Sequence, residues 1–318
     1  MVPSWWAIFL CISLFTTLPV MALEFPAKPV RIVTAAAGGS NDFAVRILAQ
    51  ELSAGLNQAV IVDNRGGRFI PGEIVSTATP DGHTLLFSGT TLWVGPLLQG
   101  RAPYDAAADF APIVLATTSP NVLVVNPSLP AKSVRDLIAI AKSKPTTLNY
   151  SSGSLGASAH LAGELFKLMA GVEITCIPYK GASPSLNALM AGEVQLSFPA
   201  AGSGMPHVRA GRLRVLAVTS EAPSALAPGV PTVSASGLAG FESSSIVGML
   251  APRRTPSAVI ARLNRELNTI LDKSDVKEKF LKAGMEVVGG DPSHFVRTIH
   301  TEIAKYGKLI KTAGIRVD

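Results

Sequence analysis

Two short loops of small residues each precede a predicted helix, and their composition suits the binding of an anion. The first loop, 35–41, reads Ala-Ala-Ala-Gly-Gly-Ser-Asn, and the second, 152–158, reads Ser-Gly-Ser-Leu-Gly-Ala-Ser. A helix N-terminus presents free backbone N–H groups and the positive end of the helix dipole. Small residues let a carboxylate or phosphate approach those groups, while Ser40 and Ser158 each add a hydroxyl that is also able to cap the helix.

The two loops occupy equivalent places in an internal repeat. Residues 31–52 and 148–169 both read as a strand, a loop and a helix, about 118 positions apart. Ligands of open α/β sheets bind beyond the carboxyl ends of strands, so two such loops facing each other would line a cleft between two lobes. Glycine-rich turns are common in α/β proteins, so ordinary turn packing is the alternative for either loop alone. The pairing favours a small carboxylate held between two helix N-termini.

Four further residues lie where they could affect this cleft. Asp42 has a favourable place in the first turn of its helix, and because it would repel an anion we assign it no direct contact with a carboxylate. His160 could reach the cleft from the second helix, or it could pack or cap within its lobe. Lys180 ends a strand and either supplies a positive charge at the cleft mouth or is simply solvated. Phe198 ends another strand, where it could form an apolar pocket floor.

The sequence offers little support for catalysis or for a bound metal or cofactor. Gly38-Gly39-Ser40 matches neither the dinucleotide-binding fingerprint nor a P-loop, and there is no nucleophile elbow. None of the five histidines has another histidine four residues on, and Cys176 reads as a small apolar residue of a buried strand rather than a nucleophile. A triad built from Ser40, His160 and an aspartate has no supporting spacing. We therefore predict no catalytic residue, no metal site and no cofactor.

An alternating series of strands and helices must position the loops, which is typical of an α/β fold. The predicted strands are Val30–Thr34, Ala59–Val62, Thr84–Ser88, Pro112–Ala116, Val122–Val125, Leu148–Ser151, Ile174–Pro178, Val194–Phe198, Leu213–Thr219, Ser245–Ala251 and Met285–Val288. Predicted helix N-caps include Ser133, Thr255, Ser274 and Asp291. The apolar face predicted for the last helix is Phe295, Val296, Ile299, Ile303, Tyr306 and Ile310.

Length and charge limit the possible functions. The 318 residues suggest two domains, and 47% hydrophobic residues exclude a disordered tail protein. The 28 Lys and Arg against 22 Asp and Glu give a net charge of +6, but the basic residues are spread along the chain. This distribution favours attraction of small anions over nucleic-acid binding, so no nucleic-acid partner is expected.

The N-terminal segment 1–22 contains no charged residue and predicts a secretory signal peptide that ends at Val20-Met21-Ala22. Because its n-region lacks Lys and Arg, an uncleaved anchor is the alternative. Cleavage would remove Cys11 and leave Cys176 alone, so no disulfide is expected within the mature chain. A periplasmic location follows from this prediction.

Motifs in the same order along nearly the whole mature chain resemble the Bug-type periplasmic receptors of tripartite tricarboxylate transporters. The motifs are Pro26–Val33, Gly38–Asp42 with Arg46, Val62–Arg65, Pro80–Leu86, Asn121–Pro127, Ser158–Phe166, Pro178–Gly181, His207–Arg214 and Leu216–Ser220. Each is weak alone, but their succession is specific.

The resemblance implies a two-lobed periplasmic-binding-protein type II fold of the Venus-flytrap kind. It places lobe 1 at about 23–122 plus 247–318 and lobe 2 at 123–246. Its ligands would be small carboxylates: di- or tricarboxylates, acidic amino acids or aromatic acids. The predicted ligand-binding residues are Ala37, Gly38, Gly39, Ser40 and Asn41 in the first loop, Gly156, Ala157 and Ser158 in the second, and Phe198.

Three stretches depart from the family pattern and bear on ligand identity rather than on the fold. Residues 34–37 replace a stretch that usually contains Pro and Phe, and 65–71 (Arg-Gly-Gly-Arg-Phe-Ile-Pro) are bulkier than the usual glycines. After Phe198, Pro199-Ala200 stands where a polar or acidic residue is common.

The function expected from the resemblance is non-enzymatic. A monomeric receptor would close on a carboxylate and deliver it to the membrane components of the transporter. The alternative is a periplasmic enzyme or ligand-sensing module that reuses the fold, since a fold alone does not determine function.

Overall fold

The structure is a computed structural model that describes residues 25–38, 40–153 and 155–315. The predicted signal peptide lies outside these residues, as does Gly39 of the first loop. Within the described ranges the chain forms eleven strands and ten helices.

All eleven predicted strands are confirmed, with small differences at their ends. The strands are β1 (Val30–Thr34), β2 (Val60–Asn64), β3 (Thr84–Gly89), β4 (Phe110–Pro120), β5 (Val122–Val125), β6 (Asn149–Ser152), β7 (Thr175–Pro178), β8 (Leu196–Ser197), β9 (Arg214–Val218), β10 (Ser244–Pro252) and β11 (Glu286–Val287). The largest difference is β4, which is longer than predicted because it pairs with β10 on one side and β11 on the other.

The strands form two sheets. The first has six strands in the order β11-β4-β10-β3-β1-β2, and the second has five in the order β7-β6-β8-β5-β9. In the first sheet β1 is parallel to β2 and β3, so the carboxyl ends of these strands meet at one edge. β10 and β11 join this sheet after the chain has completed the second one.

The chain passes between the sheets at Asn121 and returns through 219–243, and hydrogen bonds tie the two passages together. The Asn121 amide donates to the Thr219 hydroxyl over 2.8 Å. That hydroxyl in turn lies 2.6 Å from the Ser243 carbonyl oxygen. The two passages therefore form one connected junction between the sheets.

Helices cover both sheets. They are α1 (Ser40–Leu56), α2 (Ile70–Ser76), α3 (Thr91–Gln99), α4 (Val134–Ser143), α5 (Ser158–Ala170), α6 (Ala182–Ala191), α7 (Ala201–Arg209), α8 (Ser257–Asp272), α9 (Ser274–Lys282) and α10 (Pro292–Ala313). No helix within the described ranges combines the length and apolar character needed to cross a membrane.

Two of the predicted helix caps are confirmed and two are wrong. Ser133 accepts a hydrogen bond from the Asp136 amide, and Asp291 accepts one from the His294 amide. Thr255 lies two residues before α8, and its hydroxyl donates to the Pro252 carbonyl instead. Ser274 is the first residue of α9 rather than its cap.

Buried apolar residues hold the two sheets together. One cluster contains Val33 and Trp93 near the first sheet and Tyr150 and Phe198 near the second. In α10, the predicted apolar face is buried, with Ile303 half-buried, except for Val296, which is 36% exposed, so the assignment of Val296 to that face was wrong.

Candidate functional site

One cavity, of about 460 Å³, is lined by residues that follow strands of both sheets. Four lining residues come from each predicted loop: Ala35, Ala36, Ser40 and Asn41 from the first, and Leu155, Gly156, Ala157 and Ser158 from the second. The two loops therefore lie on the same cavity, as their common place in the repeat suggested.

Five of the nine predicted ligand-binding residues line this cavity: Ser40, Asn41, Gly156, Ala157 and Ser158. Ala37 and Gly38 lie in the first loop but are not among the lining residues. Phe198 is 1% exposed and is not among the lining residues, and its carbonyl accepts a hydrogen bond from the Asn121 side chain. The assignment of all nine residues to ligand binding stays a prediction.

A buried carboxylate fixes the first loop from below. The Gly38 amide, in a residue with φ of +87°, donates to Asp42 Oδ2 over 2.9 Å. Asp42 also accepts from the Asn64 side chain over 2.9 Å and from Arg46 Nε over 2.8 Å. The hydrogen bond from the Gly38 amide is the main cause that lowers the pKa of Asp42. Asp42 therefore shapes the loop, and the Gly38 amide has its acceptor inside the protein.

A buried histidine fixes the second loop in the same way. The Gly156 amide, in a residue with φ of +77°, donates to His160 Nδ1 over 3.0 Å. His160 is only 4% exposed, and burial lowers its pKa, with a smaller contribution from Lys167 in the same direction and an opposing one from Glu164. Accepting the amide proton at Nδ1 requires the neutral imidazole. Of the two roles considered for His160, the structure places it beneath the loop, outside the residues that line the cavity.

The two supports repeat at the spacing of the loops themselves. In each loop a glycine amide donates to an acceptor four residues later, in the first turn of the following helix. Ser40 and Ser158 lie midway between donor and acceptor, each as the first residue of its helix. The predicted capping role of these serines was wrong, since each lies inside its helix, and both residues line the cavity. The two pairs of glycine and acceptor are 118 positions apart, which is the offset of the repeat, so the sequence carries a signal for both supports.

Other lining residues come from parts of the chain that the sequence did not connect to the loops. Thr90 and Thr91 follow β3, which lies beside β1 in the sheet, while Ser244 and Ser245 begin β10. Arg68, between β2 and α2, is the charged residue among those that line the cavity in the described part of the chain. Lys180 is exposed and is not among the lining residues, so of its two interpretations the structure favours the solvated lysine.

Protonation of His160 is expected to destabilise the protein in mild acid. The pKa of histidine in an unfolded chain is about 6.5, and burial lowers that of His160 in the folded protein. As the pH falls below about 6.5, the unfolded state takes up the proton first, so the free energy of unfolding decreases by up to about 1.4 kcal/mol per pH unit. The decrease continues until the pH reaches the folded pKa. Above about 6.5 this contribution is fully present.

The variant His160→Asn tests this expectation by urea unfolding across that pH range. Asparagine retains an acceptor near the position of Nδ1 but does not titrate. The free energy of unfolding should therefore depend less steeply on pH, because unfolding of the variant takes up one proton fewer. His207, whose pKa burial also lowers, provides the control. His207→Asn should flatten the stability profile without changing the pH dependence of ligand affinity, because within the described residues His207 neither lines the cavity nor bonds to either loop, whereas His160 accepts from the Gly156 amide. An unchanged profile for His160→Asn would contradict the role assigned to His160.

Comparison with solved structures places this fold among the two-lobed solute-binding proteins. R. palustris Rpa4515, solved with adipate, is 35% identical, with a TM-score of 0.75 over 92% of this chain and 99% of that one. The periplasmic binding protein BugD is 28% identical, with a TM-score of 0.71 over 92% of this chain and 99% of that one. The predicted fold class is thereby confirmed, and the class of protein is a solute-binding receptor.

The family follows from the sequence. Residues 44–315 match the model of the tripartite tricarboxylate transporter family receptor. BugT of Bordetella pertussis is 35% identical over 304 residues, which cover 94% of this chain and 93% of BugT. The chain belongs to the tripartite tricarboxylate transporter receptor family, as its motifs indicated. Because this is a family of solute-binding receptors, the prediction that the protein is not an enzyme is confirmed.

Proposed function

We propose that the protein captures a small carboxylate in the cavity between its two lobes and delivers it to the membrane components of a tripartite tricarboxylate-type transporter. The observation that carries this proposal is the pair of loops, each fixed by an internal glycine hydrogen bond, on one shared cavity. Rpa4515 binds adipate, which is a small carboxylate of the proposed kind.

Uncharged groups of the two helix N-termini supply the donors. The first-turn amides of α1 and α5 have no acceptor within their own helices, and the positive ends of both helix dipoles face an anion placed at the loops. The hydroxyls of Ser40 and Ser158 add one donor from each side. The Gly38 and Gly156 amides already donate to acceptors within the protein. The carboxylate is therefore bound by the amides and hydroxyls of the residues that follow these glycines.

Capture proceeds by closure of the lobes, which comprise 23–122 with 247–318 and 123–246. The junction at Asn121, Thr219 and Ser243 is where the lobes would rotate. A ligand that contacts both loops binds the closed form better than the open form, so it shifts the population toward closure. The protein acts as a monomer in the periplasm, after removal of the signal peptide 1–22.

Loss of either serine hydroxyl is expected to weaken binding while leaving the fold intact. Ser40→Ala and Ser158→Ala should each raise the Kd for adipate about fivefold, since a net hydrogen bond contributes about 1 kcal/mol. Isothermal titration calorimetry measures this change. Ser143→Ala, at an exposed position at the end of α4, is the matched control and should bind as the wild type does.

Unchanged affinity in both serine variants would contradict the two-loop site. If chromatography of the protein–adipate mixture detected a product of adipate, the receptor function would be contradicted.

A further inference from the structure

Arg68 differs from the neighbouring arginines in having no acidic partner. Arg46 pairs with Asp42, and Arg65 pairs with Asp63 at 2.9 Å. Among the contacts of the described residues, Arg68 makes no hydrogen bond or ion pair, although it is exposed and lines the cavity. A solvated surface arginine is the simplest explanation, but its position at the cavity favours a different one.

The stem of Arg68 lies beside Gly95 of α3. A methyl group added at Gly95 would lie 3.4 Å from Arg68 Cδ and 3.1 Å from the ring of Phe69, so the absence of a side chain at Gly95 makes room for this contact. The stem of Arg68 therefore runs along the surface of α3 toward the cavity.

Apolar side chains lie next to this charge in the same cavity. Val94 and Leu98 of α3 and Leu161 of α5 are 2%, 6% and 2% exposed and form part of the wall. Leu155, in the loop before α5, also reaches the cavity, with 40% of its surface exposed. Burial of methylene or ring carbons of a ligand against these side chains is favourable, whereas a ligand hydroxyl placed against them would lose its hydrogen bonds to water.

We propose that Arg68 binds a second carboxylate of the ligand, at the far end of an apolar spacer that packs on Val94, Leu98 and Leu161. This inference rests on the proposed function, because the first carboxylate is the one held by the two loops. The planar guanidinium binds a carboxylate through two parallel hydrogen bonds, which a closed cleft strengthens by excluding water. The preferred ligand class is a dicarboxylate with an unsubstituted spacer rather than a compact hydroxy acid.

A cycle of two proteins and two ligands tests the pairing. Adipate and its monomethyl ester share the same carbon chain, but the ester carries a methyl group in place of one charge. Calorimetry should show that Arg68→Gln raises the Kd for adipate about tenfold and that for the ester less than twofold. Arg68→Lys, which keeps the charge without the planar fork, should lie between wild type and Arg68→Gln with adipate.

Arg101→Gln is the matched control for net charge. Arg101 is exposed, follows α3 and does not line the cavity. Its replacement should change the Kd for adipate less than twofold. Equal losses in the Arg68 and Arg101 variants, or equal losses of Arg68→Gln for adipate and the ester, would overturn the proposal. If the wild type bound neither ligand, or if the serine variants bound as the wild type does, the proposed function itself would fail, which these arms distinguish.

Discussion

Replacing Gly248 with alanine is expected to lower the free energy of unfolding by about 3 kcal/mol. Gly248 lies in β10, which is hydrogen-bonded to β3 on one side and β4 on the other. A Cβ atom at this position would lie 2.4 Å from the Val114 carbonyl oxygen and 2.4 Å from the ring of Phe295. The ring has some freedom to move, but the carbonyl belongs to the paired strand β4. Relief of this contact must therefore separate two central strands.

Gly307→Ala is the matched control, because it adds the same methyl group where there is space. Gly307 lies within α10, and nothing lies within 4 Å of its added Cβ. Alanine favours helix over glycine by up to about 1 kcal/mol, so this variant should be more stable than the wild type. Urea unfolding monitored by circular dichroism measures both variants. A stability loss below about 1 kcal/mol for Gly248→Ala would show that the sheet adjusts readily at this point.

Local patterns predicted the elements of the fold well, since short apolar runs and cap residues depend on neighbours in sequence. All eleven strands are confirmed, and Ser133 and Asp291 cap the helices that they were predicted to cap. The cap prediction for Thr255 was wrong because α8 begins two residues later, at Ser257, and the Thr255 hydroxyl donates to the Pro252 carbonyl. The assignment of Val296 to the buried face was wrong because one position at the edge of a helix face can point toward solvent while the helical spacing of the apolar residues is kept.

The cavity was predictable only in part. The two loops were found because they repeat within the sequence, and both line the cavity. The lining residues Thr90 and Ser244 are 154 positions apart in the chain and meet because β3 and β10 are neighbours in the sheet. No local spacing carries that information. The supports by Asp42 and His160 each join a loop glycine to a residue four positions later, so the sequence did contain them.

Two opposing effects decide what the loss of Asp42 does to ligand affinity. Removal of a carboxylate near the site reduces repulsion of an anionic ligand, which would strengthen binding. The same change removes the carboxylate that accepts from the Gly38 amide, and a hydrogen bond to a charged group contributes about 1.5–3 kcal/mol, here to the order of the loop. Arg46 already lies 2.8 Å from Asp42 and neutralises much of its charge, so the repulsion is the smaller effect. The loss of loop order should therefore outweigh the reduced repulsion, so that removal of Asp42 weakens binding.

Asp42→Ala is thus expected to raise the Kd for adipate by roughly tenfold or more. Asp42→Asn, which removes the charge but retains an acceptor for the Gly38 amide, should lose less. Asp136 is a matched control: it accepts the Lys132 amide over 3.0 Å from the first turn of α4, again four residues later, and does not line the cavity. Asp136→Ala should destabilise the fold but leave the Kd unchanged when calorimetry is done on fully folded protein. Tighter binding by Asp42→Ala and Asp42→Asn would show that repulsion, rather than loop order, is the larger effect of Asp42.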